Sequence, residues 1–186
     1  MLLLLYDAIS DGDITRFNHL LEQPETQAEL NSGIGSLCLM SAIMQGRLDF
    51  VKTLISFPPS VFDITQYPTT EGATSYLVRA AIFKQIEIFK IIAETGKVNL
   101  TNRDDKGATP LHWASKAGCL PIVDFLLQQE GINPDEQDNV GQTPLMWAAN
   151  AGKEDVVRQL LQVNGVNPDA HDPEVEIPFY WPLFFL

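Results

Sequence analysis

The chain has 186 residues, 45% of them hydrophobic, a formal net charge of -12 and a pI near 4.5. Length and apolar content suit one packed domain, or two small ones, and exclude a disordered chain. The acidity opposes docking on phosphate backbones and anionic membranes, so neither nucleic acid nor membrane is an expected partner.

The chain opens with MLLLLYDAIS. Its apolar run stops at Leu5, no Lys or Arg precedes it, and Asp7 follows, which is not the pattern of a removable signal peptide. No stretch holds the ~20 apolar residues needed to span a bilayer. The two cysteines, Cys38 and Cys119, form no CxxC pair and fit a reducing compartment. A soluble cytoplasmic monomer is expected.

Five segments then share one pattern. In chain order they centre on Gly12, Gly46, Lys84, Gly118 and Gly152, with spacings of 34 residues except for 38 between the second and third. Four residues before each anchor stands an alanine: Ala8, Ala42, Ala80, Ala114 and Ala148. Apolar residues recur after each anchor at the spacing of an amphipathic helix, as in Phe50, Val51 and Leu54, or Val156, Val157 and Leu160. The first copy is weaker, with Arg16 before Phe17. Each segment therefore predicts a short helix, a tight left-handed turn and a second helix, with the alanine at a crowded contact between the two. Thr109-Pro110 and Thr143-Pro144 are expected to open helices, threonine as cap and proline in the first turn. Lys84 replaces the turn glycine in the third copy and Ser75-Tyr76 replaces Thr-Pro, which marks a degenerate central unit.

Elsewhere the pattern breaks. Pro58 and Pro59 stop the second unit's last helix, and the wider spacing implies a four-residue insertion on the turn side, in SFPPSVFDITQYPTTEGATS. Its Phe57, Phe62 and Tyr67 form either a small local core or exposed contacts. The chain ends in IPFYWPLFFL, half a sixth unit, with Pro182 in the alanine column where it would break a helix at a cost of ~3 kcal/mol. That half unit reads either as a cap on the last apolar face or as a truncated array.

The copies DDKGATPLHWASKAGCLPIVDFLL and DNVGQTPLMWAANAGKEDVVRQLL resemble the ankyrin repeat, with its D-x-x-G turn, T-P-L-H-x-A helix start, turn glycine and I/V-V-x-x-L-L helix. The match is strong over 104–170, moderate over 37–103 and by pattern alone over 1–30. The resemblance implies an all-α solenoid of stacked helix-turn-helix units with turn or hairpin fingers. As one domain it would comprise units at about 1–31, 32–68, 69–103, 104–137 and 138–171, and a partial unit at 172–186. Single units cannot bury their own apolar face, which is why one unit is reused.

Such proteins are non-enzymatic modules that bind a protein partner through a concave face. Carried onto this chain, the contact positions are Met44 and Gln45, then Glu71, Thr74, Ile82 and Phe83. They continue with Asp105, Lys106, Ala108, Lys116 and Ala117, and with Asn139, Val140, Gln142, Asn150 and Ala151. Phe83 either faces the groove or folds inward. The alternative is the targeting part of a larger enzyme, or of a bacterial effector delivered into a host cell, with its catalytic part outside this chain. A third reading is an inhibitor that blocks one enzyme.

No nucleophile, base and orienter stand together, and no HExxH, GxxxxGK[ST] or GxSxG occurs, so no catalytic residue, metal or cofactor is expected. Among the histidines, His112 holds the family position that bonds backbone between repeats, His19 is a surface residue, and His171 beside Asp172 reads as a turn pair. Asp104 and Asp105 read as solvated turn acids, and Glu154 and Asp155 as complements to a helix N-terminus. Asn99, Asn133 and Asn167 share one column. By resemblance they order the turn, and asparaginyl hydroxylases act on such residues in some members.

Overall fold

The computed structural model describes residues 2–65 and 75–168. Contacts divide the chain into two compact units, Met1–Asn99 and Leu100–Leu186. Among the described residues the regular structure is all helical.

The first unit holds α1 (Leu2–Asp11), α2 (Ile14–Leu21), α3 (Pro24–Glu29), α4 (Gly35–Met44), α5 (Leu48–Ser56), α6 (Tyr76–Ile82) and α7 (Ile86–Glu94). Three antiparallel pairs stack: α1, α4 and α6 form one row, and α2, α5 and α7 the other. The second unit holds α8 (Pro110–Ala117), α9 (Leu120–Leu127), α10 (Pro144–Asn150) and α11 (Glu154–Leu160), with α8 on α10 and α9 on α11.

The five alanines explain how each pair closes. Ala8, Ala42, Ala80, Ala114 and Ala148 are all fully buried. In every copy the alanine carbonyl accepts the N–H of the residue just past the turn: Asp13, Arg47, Gln85, Cys119 and Lys153, at 2.8–3.0 Å. That six-residue closure requires a left-handed residue at the anchor. Gly118 supplies it with φ 69, and Lys84 adopts φ 54 in the same place. Within each unit the next repeat's helix-cap residue then lies over the turn of the one before. A Cβ on Gly118 would meet the Lys153 stem at 2.7 Å, and one on Gly46 would meet the Gln85 amide at 2.9 Å. The second helices bury the residues expected of them, including Phe50, Val51, Leu54, Ile88, Phe89, Ile122, Val123, Val156 and Leu160. Burying each such side chain stabilises the fold by roughly 1.5–3 kcal/mol before entropy is counted. Phe17 of the weaker first copy is also fully buried, 4.9 Å from Phe50 between ring centroids.

Between α2 and α4 the repeat pattern supplies no element, yet α3 and a π-helical turn, Leu30–Ile34, occupy that stretch. Pro24 starts α3 at a position that needs no N–H, and Gly33, at φ 102, breaks the turn before α4. This extra segment receives the insertion that follows α5. Asn31 donates through Nδ2 to the carbonyls of Ser60 (3.0 Å) and Pro59 (3.3 Å), and its Oδ1 accepts the Asp63 N–H (3.0 Å). The Phe62 ring lies against Gly35, where a Cβ would stand 2.5 Å from it. Leu30, Phe62 and Ile64 are buried, so the local-core alternative holds for Phe62, while Phe57 is half-buried. Tyr67 and the partial sixth unit, including His171 and Pro182, lie outside the described residues.

Two stability changes follow from this geometry. Ala148→Leu adds three carbons at a closed contact and is expected to cost roughly 1–3 kcal/mol, seen as a lower urea midpoint. Lys84→Gly should stabilise by about 0.5–1 kcal/mol, seen as a higher midpoint, the relief of a left-handed lysine less glycine's greater entropy in the unfolded chain. An unchanged midpoint for the first, or a lowered one for the second, would contradict the turn geometry.

Candidate functional site

Each repeat of the second unit begins with a finger whose shape is set by one carboxylate. Asp104 Oδ1 accepts the N–H groups of Lys106 and Ala108, both at 2.9 Å, and its Oδ2 accepts Trp113 Nε1 at 2.8 Å. Asp138 repeats the arrangement: Oδ1 takes Val140 N (3.0 Å) and Gln142 N (2.9 Å), and Oδ2 takes Trp147 Nε1 (2.9 Å). Asp104 N–H donates to the Ala108 carbonyl at 3.0 Å and Asp138 N–H to that of Gln142 at 2.9 Å, which closes each hairpin-like turn. Adjacent fingers are tied together as well. Asn139 donates its backbone N–H to Lys106 O (2.9 Å) and its side-chain amide to Asp105 O (3.0 Å). Arg103 pairs with Glu136 at 2.7 Å and donates to the Gln137 carbonyl.

Behind the fingers the first helices present two indoles. Trp113 and Trp147 meet edge to face, 5.0 Å between centroids at 81°. The Lys116 ammonium lies 5.4 Å from the Trp113 centroid and 5.1 Å from that of Trp147, within cation–π range of both. Trp147 is buried, Trp113 half-buried and Lys116 exposed, so this cluster reaches the surface through Trp113 and the lysine. His112 sits beneath it, fully buried and edge-on to Trp147 at 5.4 Å.

The sequence-predicted contact positions fall into three groups. Met44 and Phe83 are each 40% exposed, at the ends of the neighbouring helices α4 and α6. Gln45 is exposed and donates to Ser41 Oγ at 2.9 Å, while Ile82 is half-buried. In the second unit Asp105, Lys106, Lys116, Val140 and Asn150 are exposed, and Ala117 and Ala151 are half-buried. Other positions serve the finger itself. Ala108 is fully buried, its N–H held by Asp104, and cannot meet a partner. Asn139 is exposed, but its side-chain amide is spent on Asp105, and the half-buried Gln142 uses its carbonyl for Asp138 and His112. Glu71 and Thr74 lie outside the described residues.

Asp104 was expected as a solvated acid and is a half-buried staple instead. The one sequence signal for the aspartate–tryptophan pairs is their spacing, nine residues in each of two successive copies. Asn133 orders its turn, accepting Asp135 N–H at 3.0 Å and donating to Glu136 Oε2 at 2.9 Å. Glu154 and Asp155 occupy the first turn of α11 as expected.

The remaining chemistry is sparse. Cys38 and Cys119 are buried, and burial pushes the Cys38 thiol up to about 12, so it stays protonated. Among the described residues no group of three or more His, Cys, Asp or Glu is placed to hold a metal ion, and no helix is long and apolar enough to cross a membrane. A family model described as ankyrin repeats, in three copies, matches residues 77–172. No curated protein matches the chain.

The finger carboxylates set the second unit's stability. Asp138→Ala should cost about 2–3 kcal/mol, because two backbone N–H groups and a buried indole N–H lose their charged acceptor. A urea midpoint equal to wild type would show that the finger does not depend on this side chain.

Proposed function

The chain belongs to the ankyrin repeat family, and on that premise we propose that it binds a partner protein through the face built from its finger tips and the C-terminal ends of its first helices. Ankyrin repeats are in general protein–protein interaction modules, and the family is typically non-catalytic. By resemblance this face is the concave one.

The observation that carries the reading is the exposure of Met44 and Phe83. Apolar side chains of this size at 40% exposure, on two helices packed side by side, cost solvation unless something covers them. In the second unit the column of Met44 carries Lys116 and Asn150, both exposed, with Lys116 over the half-buried Trp113, and the column of Phe83 carries the half-buried Ala117 and Ala151. Within the first unit the exposed Gln45 stands beside Met44, and large apolar anchors bordered by polar groups are the usual energetic arrangement of an interface. The contact set proposed is therefore Met44, Gln45 and Phe83 in the first unit, and Asp105, Lys106, Lys116 and Asn150 in the second.

Affinity capture with wild type, Phe83→Asp and Lys116→Glu tests the proposal. The expected result is a protein recovered with wild type, lost with Phe83→Asp, and bound at least tenfold more weakly by Lys116→Glu once both components are purified. The melting temperature should stay near wild type for the exposed Phe83, while Lys116→Glu should lose only the ~0.5–1 kcal/mol of an exposed cation–π contact. Undiminished binding by both variants would refute this face.

A further inference from the structure

The second unit contains a buried imidazole whose two nitrogens are both committed. His112 Nδ1 lies 3.1 Å from the Thr109 backbone N and 2.9 Å from Thr109 Oγ1, and Nε2 lies 3.0 Å from the Gln142 carbonyl oxygen. A backbone N–H can only donate, so Nδ1 is unprotonated and the ring proton sits on Nε2, donating to Gln142 O. A second proton must therefore go to Nδ1. There it would oppose the Thr109 N–H donor to donor, at the cap of α8, on a residue with no exposed surface. The Thr109 hydroxyl can rotate to accept it, but the amide cannot.

The groups that face the ring do not rescue the cation. Asp138 and Asp104 favour the charged form, but Oδ1 and Oδ2 of each carboxylate already accept backbone and indole N–H groups, while the Arg103 guanidinium opposes it. Burial is the largest influence and holds His112 below its ordinary value of 6.5, against the Gln142 hydrogen bond, which acts the other way. The other copies have no such ring: Tyr6, Met40, Val78 and Met146 occupy its column. In the fifth copy the Thr143 hydroxyl simply accepts the Met146 N–H, at 3.4 Å.

We propose that His112 is an acid-sensitive latch: a proton added at Nδ1 takes the acceptor from the Thr109 N–H and opens the first turn of α8, loosening the helix that carries Lys116 while the first unit keeps its structure. A histidine held neutral contributes its full stability above its unfolded value. That contribution is lost as pH falls below 6.5 through the lower folded value, and levels off beneath it. The latch rests on geometry within the second unit and needs no partner, so failure of the proposed binding face would leave its test unaffected.

Imidazole and amide NMR of the full chain between about pH 7.5 and 5.5, the range in which histidine changes charge, tests it. The expected result is the Nε2–H tautomer at neutral pH. On acidification, His112 protonation should coincide with faster amide exchange in α8, after correction for intrinsic rates, and α1 to α7 should not change. His112→Gln, if folded, should show a smaller loss of urea midpoint over the same range than wild type. An Nδ1–H tautomer would overturn the latch, as would a ring still neutral at the acid end of the range or an imidazolium formed while the Thr109 and α8 amides stay protected. If the variant does not fold, the NMR titration of wild type decides alone.

Discussion

Each helix pair in this chain closes over a methyl group. The contact at Ala8, Ala42, Ala80, Ala114 and Ala148 leaves no room for a longer side chain, and the same residue's carbonyl anchors the turn that reverses the chain. One small residue therefore sets both the spacing of the two helices and the place where the first one ends. Because that place is repeated, the residues just before the turn recur on neighbouring helices within each unit. They can be exposed, since the helix stops before another side chain can cover them. A surface of equivalent, independently variable positions is thus a by-product of a packing constraint.

The fingers meet a different demand. Each must turn without strand partners, so its N–H groups need acceptors, and a single aspartate supplies them while also fixing an indole of the following helix. Asp104 and Asp138 thereby join finger and helix within a repeat, and Asn139 and His112 join one repeat to the next. Lys116 over the two indoles is held by the same framework, so the charge displayed by the second unit is positioned rather than free to wander. The first unit displays Met44 and Phe83 instead, and the two units offer surfaces of different chemistry on one repeated scaffold.

Repetition made much of this legible in the sequence. The alanine column, the left-handed anchors including Lys84, the threonine–proline helix starts and the buried second-helix stripe all follow from comparing copies. Where there was no copy to compare, the reading stopped: α3 and the π-helical turn have only Pro24 as a local signal, and their reason for existing, the seat for Phe62, is a tertiary one. Polar residues were harder still. Equivalence of position says that Asp104 and Asp138 do the same thing, but not whether they face water or backbone. Asn139 looked like a finger tip available to a partner, and its amide is used within the fold. Ala108 looked exposed beside it, and is buried because its N–H belongs to the aspartate staple.

Binding through the ends of the first helices is the claim on which the functional account rests. Hydrogen-exchange footprinting of the chain, alone and with the captured partner, tests it most directly. The account predicts added protection at residues 42–46, 80–84 and 114–118 and at the fingers around Lys106 and Val140, with α5, α7, α9 and α11 unaffected. Protection confined to those second helices would contradict it.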